Sequence, residues 1–300
     1  MIAGDSIDGG TADDGGGIGD GVIIRDYTAD DVGAAHRLRR LAFGGPRVVD
    51  PAWLVDDPRW RGLLAEEHGE QHRELIGFLR MWDMRQYFGG RAVPMGGVGS
   101  VAVEPHARGR GVASSLLRKA LRSMREAGQC LSALYPATPP LYRSLGWENA
   151  GVRQRMDLSL QHLAFLGKRD RGLPTDVANA IELRRARKSD LPTCYACHTA
   201  VMSTVDGALA RVAGEENDAD FFDVDVFTIA EIDGVCHGYL RANRPDGETI
   251  EVLDFVATQR DAAIALLRSI GSWAGQLGTV SLPLTDVATL SAILELPDNH

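Results

Sequence analysis

Apolar and polar residues alternate along this chain with two different periods, and each change of period marks a new element. Val22 to Arg25 reads as a short strand. Thr28 and Asp30 then supply a cap signal, and Val32, Ala35, Leu38 and Leu41 recur at helical spacing. The run RELIGFLRMWDMRQYFGGRAVPMGGVGSVAV predicts strands broken by a Gly89-Gly90 turn. Val112, Leu116, Leu117, Ala120, Leu121 and Met124 then fall on one stripe of a helix that stops at Gly128, and LSALYP follows as a further strand.

The second half repeats this order without repeating the residues. IELRRARKSDLPTCYACHTAV reads as strand, cap and helix, and VFTIAEIDGVCHGYLRA as a hairpin around Asp233-Gly234. GETIEVLDFVA is another strand, QRDAAIALLRSIGSWAGQLG a helix ending at glycine, and TVSLPL a last strand. The expected organisation is a disordered Gly/Asp-rich tail at 1–20, a first α/β unit at 21–158, a polar linker at 159–181, and a second, degenerate copy at 182–300.

A hydrophobic content of 44% over 300 residues supplies a core for each unit. No apolar run has the length of a membrane span and no signal peptide is evident, so a soluble cytoplasmic protein is expected, with no membrane partner. The formal net charge of −9 argues against a nucleic-acid partner, which needs a basic face, and suits a cationic one. Four cysteines do not make a disulfide framework in a chain this long. CYACH at 194–198 matches haem-attachment and CxxC patterns, but no second ligand pair accompanies it. Cys194 and Cys197 are therefore read as packing on one helix face, and no metal site is expected. His68 and His72 are read as surface residues for want of a third ligand, and Trp53, Trp60 and Trp82 as core or cleft wall.

The candidate chemistry lies in GVGSVAVEPHARGRGVASSLLRKALRSMREAG, residues 97–128. A helix N-terminus leaves four N–H groups unpaired and carries partial positive charge. Gly109 and Gly111 let an anion approach the backbone there, and Arg108 and Arg110 add charge. A pyrophosphate suits such a turn. The loop has neither the GK[ST] of a Walker A motif nor a Rossmann fingerprint.

The pattern [QR]-x-x-G-x-[GA], present as Arg108-Gly109-Arg110-Gly111-Val112-Ala113, resembles motif A of the GNAT acyltransferase superfamily. With GGRAVPMGGVGSVAV before it and ALYPATPPLYRSLGWENAG after it, the chain resembles the Eis-like (enhanced intracellular survival) acetyltransferases, which carry tandem GNAT units. The resemblance implies an α/β mixed-sheet fold in tandem, the second copy degenerate, and an N-acetyltransferase that takes acetyl-CoA as cosubstrate. It implies donor contacts from Val101, Ala102 and Val103, from Arg108, Gly109, Arg110, Gly111, Val112, Ala113 and Ser114, and from Ala137 and Thr138. Tyr142 stands where that family keeps its general acid. The implied acceptor is a cationic amine, such as an aminoglycoside, a polyamine or a lysine, and the implied assembly is a homo-oligomer, a hexamer in that family.

In the Eis-like family the base is the terminal carboxylate of a third, sterol-carrier-like domain. This sequence stops at His300, where that domain would begin, and His300 is not assigned the role. VATQRDAAIAL lacks the glycines of motif A and places Asp261 near a helix start, so the second copy is expected not to bind CoA. GEENDADFFDVD, 214–225, reads as a solvated acidic loop beside Phe221 and Phe222, with attraction of a polycation as its functional reading. A non-catalytic acyl-CoA sensor is the alternative function, and a redox or haem protein built on CYACH a third.

Overall fold

The computed structural model describes residues 2–3, 21–49, 59–69, 73–166, 181–212, 218–245 and 247–284. Two compact units emerge, one of Met1–Gln86 with Val93–Gly151, the other of Tyr87–Ala92 with Val152–His300.

The first contains β1 (Ile2–Ala3), β2 (Val22–Asp26), α1 (Val32–Phe43), β3 (Trp60–His68), β4 (Arg73–Phe88), β5 (Arg91–Val103), α2 (Val112–Glu126), β6 (Leu131–Leu134), α3 (Pro139–Arg143) and β7 (Trp147–Glu148). Its sheet has the order β2-β3-β4-β5-β6-β1-β7. β2, β3 and β4 run antiparallel, whereas β5 and β6 are parallel and joined through α2. The expected α2 stripe is real: Val112, Leu116, Leu117, Ala120 and Met124 pack on Leu63, Ala65, Ile76 and Leu79. Each large apolar side chain so buried contributes about 1.5–3 kcal/mol. Gly77 permits this approach, since a Cβ there would lie 2.9 Å from side-chain atoms of both Val112 and Leu116. The other face of the sheet buries Ala35 and Leu38 of α1 against Trp60, Leu64 and Phe78, so Trp60 is core, as expected. Trp53 and His72 lie outside the described residues. His68 is only partly exposed and stands 3.3 Å from the buried Glu66.

The second unit contains β8 (Gln154–Ser159), α4 (Leu160–Phe165), β9 (Ile181–Arg185), α5 (Leu191–Met202), α6 (Asp218–Phe222), β10 (Val226–Ile232), β11 (Val235–Asn243), β12 (Thr249–Ala257), α7 (Arg260–Gly271) and β13 (Thr279–Leu284). Its sheet has the order β8-β13-β12-β11-β10-β9, and β12 and β13 are its parallel pair. Asp233 and Gly234, at φ 52° and 75°, make the expected hairpin turn between β10 and β11.

The two units share a charge constellation beyond their topology. Arg25 of β2 grips Asp31 through two hydrogen bonds of 2.8 and 2.7 Å and reaches Glu66 of β3 at 2.5 Å. Arg184 of β9 grips Asp190 at 2.7 and 2.9 Å and reaches Glu231 of β10 at 2.6 Å. Each aspartate also accepts a backbone N–H from three residues earlier, fixing the turn that starts α1 or α5. Both glutamates follow an alanine at a β-bulge. The guanidinium holds Asp31 down at a pKa of about 2.

Four expectations need correction. The cap before α1 is built by Asp31, not Asp30, because only Asp31 reaches back to the Thr28 N–H and hydroxyl. The tail is not wholly without structure: Ile2 and Ala3 pair with β6 on one side and β7 on the other, while 4–20 lie outside the described residues. The first unit does not run to 158, nor is 159–181 all linker. β8 pairs along its whole length with β13, α4 follows it, and only 167–180 lie outside the described residues. Finally, α7 ends at Gly271, where a Cβ would meet the Ala164 nitrogen of α4 at 2.6 Å, and residues 272–275 continue as a tighter turn.

His198 on α5 is 4% exposed, and its Nδ1 has no hydrogen-bond partner among the described residues. Burial, with a smaller effect of Arg211 opposed by Asp254, pushes its pKa down to about 4. The unfolded chain therefore takes up a proton, near pH 6.5, that the folded chain refuses until about pH 4. Stability is full above pH 6.5 and falls between 6.5 and 4, by about 3 kcal/mol at one pKa unit per 1.36 kcal/mol. Thermal melts across that window should show the decline in wild type and a flatter profile in His198→Gln; equal slopes would remove His198 as the cause.

Candidate active site

β5 pairs with β6 only through Met95–Val98 against Leu131–Leu134, yet β5 runs on to Val103. Beyond Val98 the two parallel strands are unpaired with each other. Ser100, at φ 55°, lies within this stretch. A non-glycine residue rarely adopts that conformation. Val101 and Val103 are half-buried, whereas Ala102 turns inward at 2% exposure. The unpaired edge of β5 offers backbone donors and acceptors to an extended ligand arm.

After β5, a turn at Pro105–Ala107 leads into Arg108–Gly111 and then α2. Gly109 and Gly111 adopt φ 77° and 83°, and a Cβ at either would meet nothing within 4 Å. Both therefore face open space with backbone that an L side chain disfavours. Gly111 caps α2 without any side-chain hydrogen bond, and the first helical bond joins the Ser115 N–H to the Gly111 carbonyl at 3.0 Å. The amides of Val112, Ala113 and Ser114 stand at the head of the helix dipole, the arrangement that holds anions. Val112 uses its side chain for the core and contributes only backbone here.

The flanking arginines are more constrained than their spacing implied. Arg108 donates from Nε to the Val103 carbonyl at 3.2 Å, fastening the end of β5 to the loop. Arg110 forms a two-pronged pair with Glu67 of β3, which raises the arginine's pKa through that hydrogen bond. Glu67 was not anticipated, because it lies 43 residues away in sequence. Glu104, 4% exposed between β5 and the turn, pairs with Arg37 of α1 and was likewise missed.

On the β6 side, Ala137 and Thr138 follow the strand, and Thr138 accepts the Leu141 N–H at 3.1 Å as α3 begins. Tyr142 on α3 is 6% exposed and meets the Trp147 ring edge-on at 6.2 Å. Its hydroxyl makes no hydrogen bond to a described residue, and burial holds the phenol above the ordinary tyrosine value. It is therefore protonated throughout the neutral range and ready to donate.

The second unit has no equivalent loop among its described residues. Gln259 precedes α7, and Asp261 occupies its first turn, where negative charge opposes an anion. The acidic segment is partly core: Phe221 of α6 is 2% exposed under Arg241, whereas 213–217 lie outside the described residues. Cys194 and Cys197 are buried on α5, as the packing reading expected. Among the described residues no group of three or more His, Cys, Asp or Glu could hold a metal. Nor is any described helix long and apolar enough to cross a membrane.

The family model of the acetyltransferase (GNAT) domain matches residues 23–150. A curated relative, mycothiol acetyltransferase of Nocardioides sp., is 32% identical over 169 residues, which cover 53% of this chain and 52% of its own. The chain thus spans about half the length of that relative. Among solved structures, a GCN5-related N-acetyltransferase from Kribbella flavida superposes with a TM-score of 0.75 at 29% identity, over 91% of this chain and 66% of that one. A GCN5-related N-acetyltransferase from Anabaena variabilis gives 0.74 at 20% identity, over 93% and 69%. Eis1 from Mycobacterium abscessus gives 0.63 at 21% identity, over 88% and 67%. The last two likenesses concern the fold alone. The residues that the GNAT domain model matches, 23–150, thus take in the mixed α/β sheet whose parallel strands part beside an open glycine turn.

Proposed function

We propose that this chain transfers the acetyl group of acetyl-CoA to a primary amine, with the first unit as the catalytic one. The observation that carries this reading is the uncapped start of α2 behind two left-handed glycines that face open space. Amides from Gly109 to Ser114 would hold the donor's diphosphate, and the free edge of β5 at Val101–Val103 would pair with its pantetheine arm. The amine attacks the thioester carbonyl, the carbon–sulfur bond breaks, and Tyr142 gives its phenolic proton to the departing sulfur. Alkylamines titrate near ~10.4, so the acceptor must also lose a proton before it attacks.

We further propose an Eis-like tandem arrangement in which the second copy binds no CoA. The repeated Arg–Asp–Glu constellation and the shared strand order support a tandem, and Asp261 at the head of α7 supports the loss of donor binding. The proposed acceptor is a cationic amine, in keeping with the net charge of −9.

Release of free thiol from acetyl-CoA, measured against aminoglycosides, polyamines and lysine peptides, tests the reading. Turnover with at least one amine is expected. Calorimetric binding without turnover across the panel would instead make the protein an acyl-CoA sensor. Gly111→Val adds a branched side chain at φ 83°, where the left-handed conformation costs about 1–2 kcal/mol, and fills the open face of the loop. It should weaken CoA binding at least about tenfold, or about 1.4 kcal/mol. Unaltered affinity in a folded variant would move the donor site elsewhere.

A further inference from the structure

Where β5 and β6 part, the sheet has a second face, turned away from α2. Gly97 and Gly99 present no side chain there. A Cβ on Gly97 would lie 2.7 Å from the Met84 Sδ and 3.4 Å from the Trp82 Cβ, and one on Gly99 would lie 3.7 Å from the Trp82 Nε1. Ala133 of β6 pairs with Gly97, so only very small residues floor this stretch. Trp82 bounds it on the β4 side. Its indole is half-buried and held in place by Trp60 at 6.4 Å and by Arg80 and Arg59 over the ring at 5.3 and 5.8 Å. Tyr135 bounds it on the other. Leu134 makes the last pair with β5 and turns into the α2 core, so strand alternation sends the next side chain to the glycine face. Tyr135 is 79% exposed and makes no ring contact or hydrogen bond to a described residue. Beyond Gly99 the left-handed Ser100 reverses the alternation of β5: Val101 and Val103 pack on the α2 side and Ala102 on the α1 side.

Resting on the acetyltransfer reading above, we propose that the amine-bearing arm of the acceptor lies along Gly97 and Gly99, between the Trp82 indole and the Tyr135 ring, and that Tyr135 and Gly99 set which amines are taken. A floor without side chains leaves room for the arm. The walls do different work. Trp82 is fixed by its packing and serves as a rigid edge, whereas Tyr135 keeps a free aromatic face, which attracts an arriving ammonium group. The track leads on to Val101–Val103, the edge assigned to the pantetheine arm, so an amine lying on it is carried toward the thioester. A side chain at Gly99 would stand in that path. The fold itself leaves space for one, because only the Trp82 Nε1 comes within 4 Å of its Cβ.

The test titrates aminoglycosides, polyamines and lysine peptides into the full-length chain by calorimetry, with and without CoA, and measures KM for the same amines by thiol release. Tyr135→Ala should weaken amine binding and raise KM about fivefold, the size of a cation–π contact near the surface. Tyr135→Phe keeps the ring and should restore most of that loss. Gly99→Leu should raise KM at least about tenfold. CoA affinity should stay within about twofold of wild type in each variant, and the melting point should not fall. Amine affinity unchanged in both Tyr135→Ala and Gly99→Leu overturns the proposal. So does a loss of CoA affinity in place of amine affinity, which would give the track to the donor, or a wild-type chain that binds none of the amines. Amine binding without thiol release is a different failure: it removes the acetyltransfer reading, while the binding series still decides whether Tyr135 and Gly99 hold the amine.

Discussion

Tyr142→Phe should lower the turnover of the acetyltransfer reaction by about 10²–10⁴, the usual contribution of a positioned general acid, while leaving CoA affinity within about twofold. The substitution removes one oxygen. Its ring can keep the edge-on contact with Trp147 at 6.2 Å and its place beside Val112 and Leu116 in the core. No hydrogen bond to a described residue is lost, so the folded state should change by less than about 1 kcal/mol. An effect confined to turnover is what separates proton transfer from packing. The pH profile adds a second readout: burial raises the phenol's pKa, so the acid remains protonated beyond the ordinary tyrosine value. The wild-type rate should therefore hold through neutral pH and fall only where the phenol ionises. Full activity in the phenylalanine variant, measured with saturating acetyl-CoA, would take Tyr142 out of the reaction.

The glycine loop was legible because its signals are contiguous. Residues 97–128 hold a strand, a glycine turn and an amphipathic helix in immediate succession, and local sterics alone dictate the left-handed Gly109 and Gly111. What escaped was long-range. The Arg110–Glu67 pair spans 43 residues, and no spacing rule connects a loop arginine to the far end of a distant strand. The Arg25–Asp31 half of the shared constellation is local and can be read as arginine then aspartate six residues on, repeated at Arg184 and Asp190. Its glutamate half comes from another strand and cannot. The boundary between units was misplaced for a related reason. β8 has a weak apolar alternation, and its allegiance to the second sheet is decided by pairing with β13, 126 residues away at Arg155 and Ser281. The opening Ile2–Ala3 strand is too short to carry any period and draws its order from strands on both sides.

The largest stability effect is expected at Asp254 of β12, whose removal should destabilise the second unit by on the order of 3 kcal/mol. Its carboxylate takes Arg241 at 2.5 Å and Arg211 at 3.0 and 3.1 Å, with side-chain exposures of 14%, 6% and 23%. Arg241 is also held by the Phe221 carbonyl at 2.8 Å and the Asp220 carbonyl at 3.1 Å, and both guanidinium groups lie over the Phe221 ring. Alanine would leave a buried guanidinium without its anion while neutral carbonyls still grip it, so the charge cannot swing out to water. A shift of about 3 °C per kcal/mol for a unit of this size puts the melting point roughly 10 °C lower. Asp254→Asn retains an acceptor and should lose less, so the order wild type, asparagine, alanine is part of the expectation. Acid should mimic the substitution. The two arginines hold the Asp254 pKa below the ordinary carboxylate value against the opposing pull of burial. Its contribution is therefore complete above the unfolded carboxylate value and is lost only as pH falls through the depressed one. Melts in which Asp254→Ala unfolds within 1 °C or so of wild type at neutral pH would mean the cluster is solvated in solution, and the buried-charge account would fail.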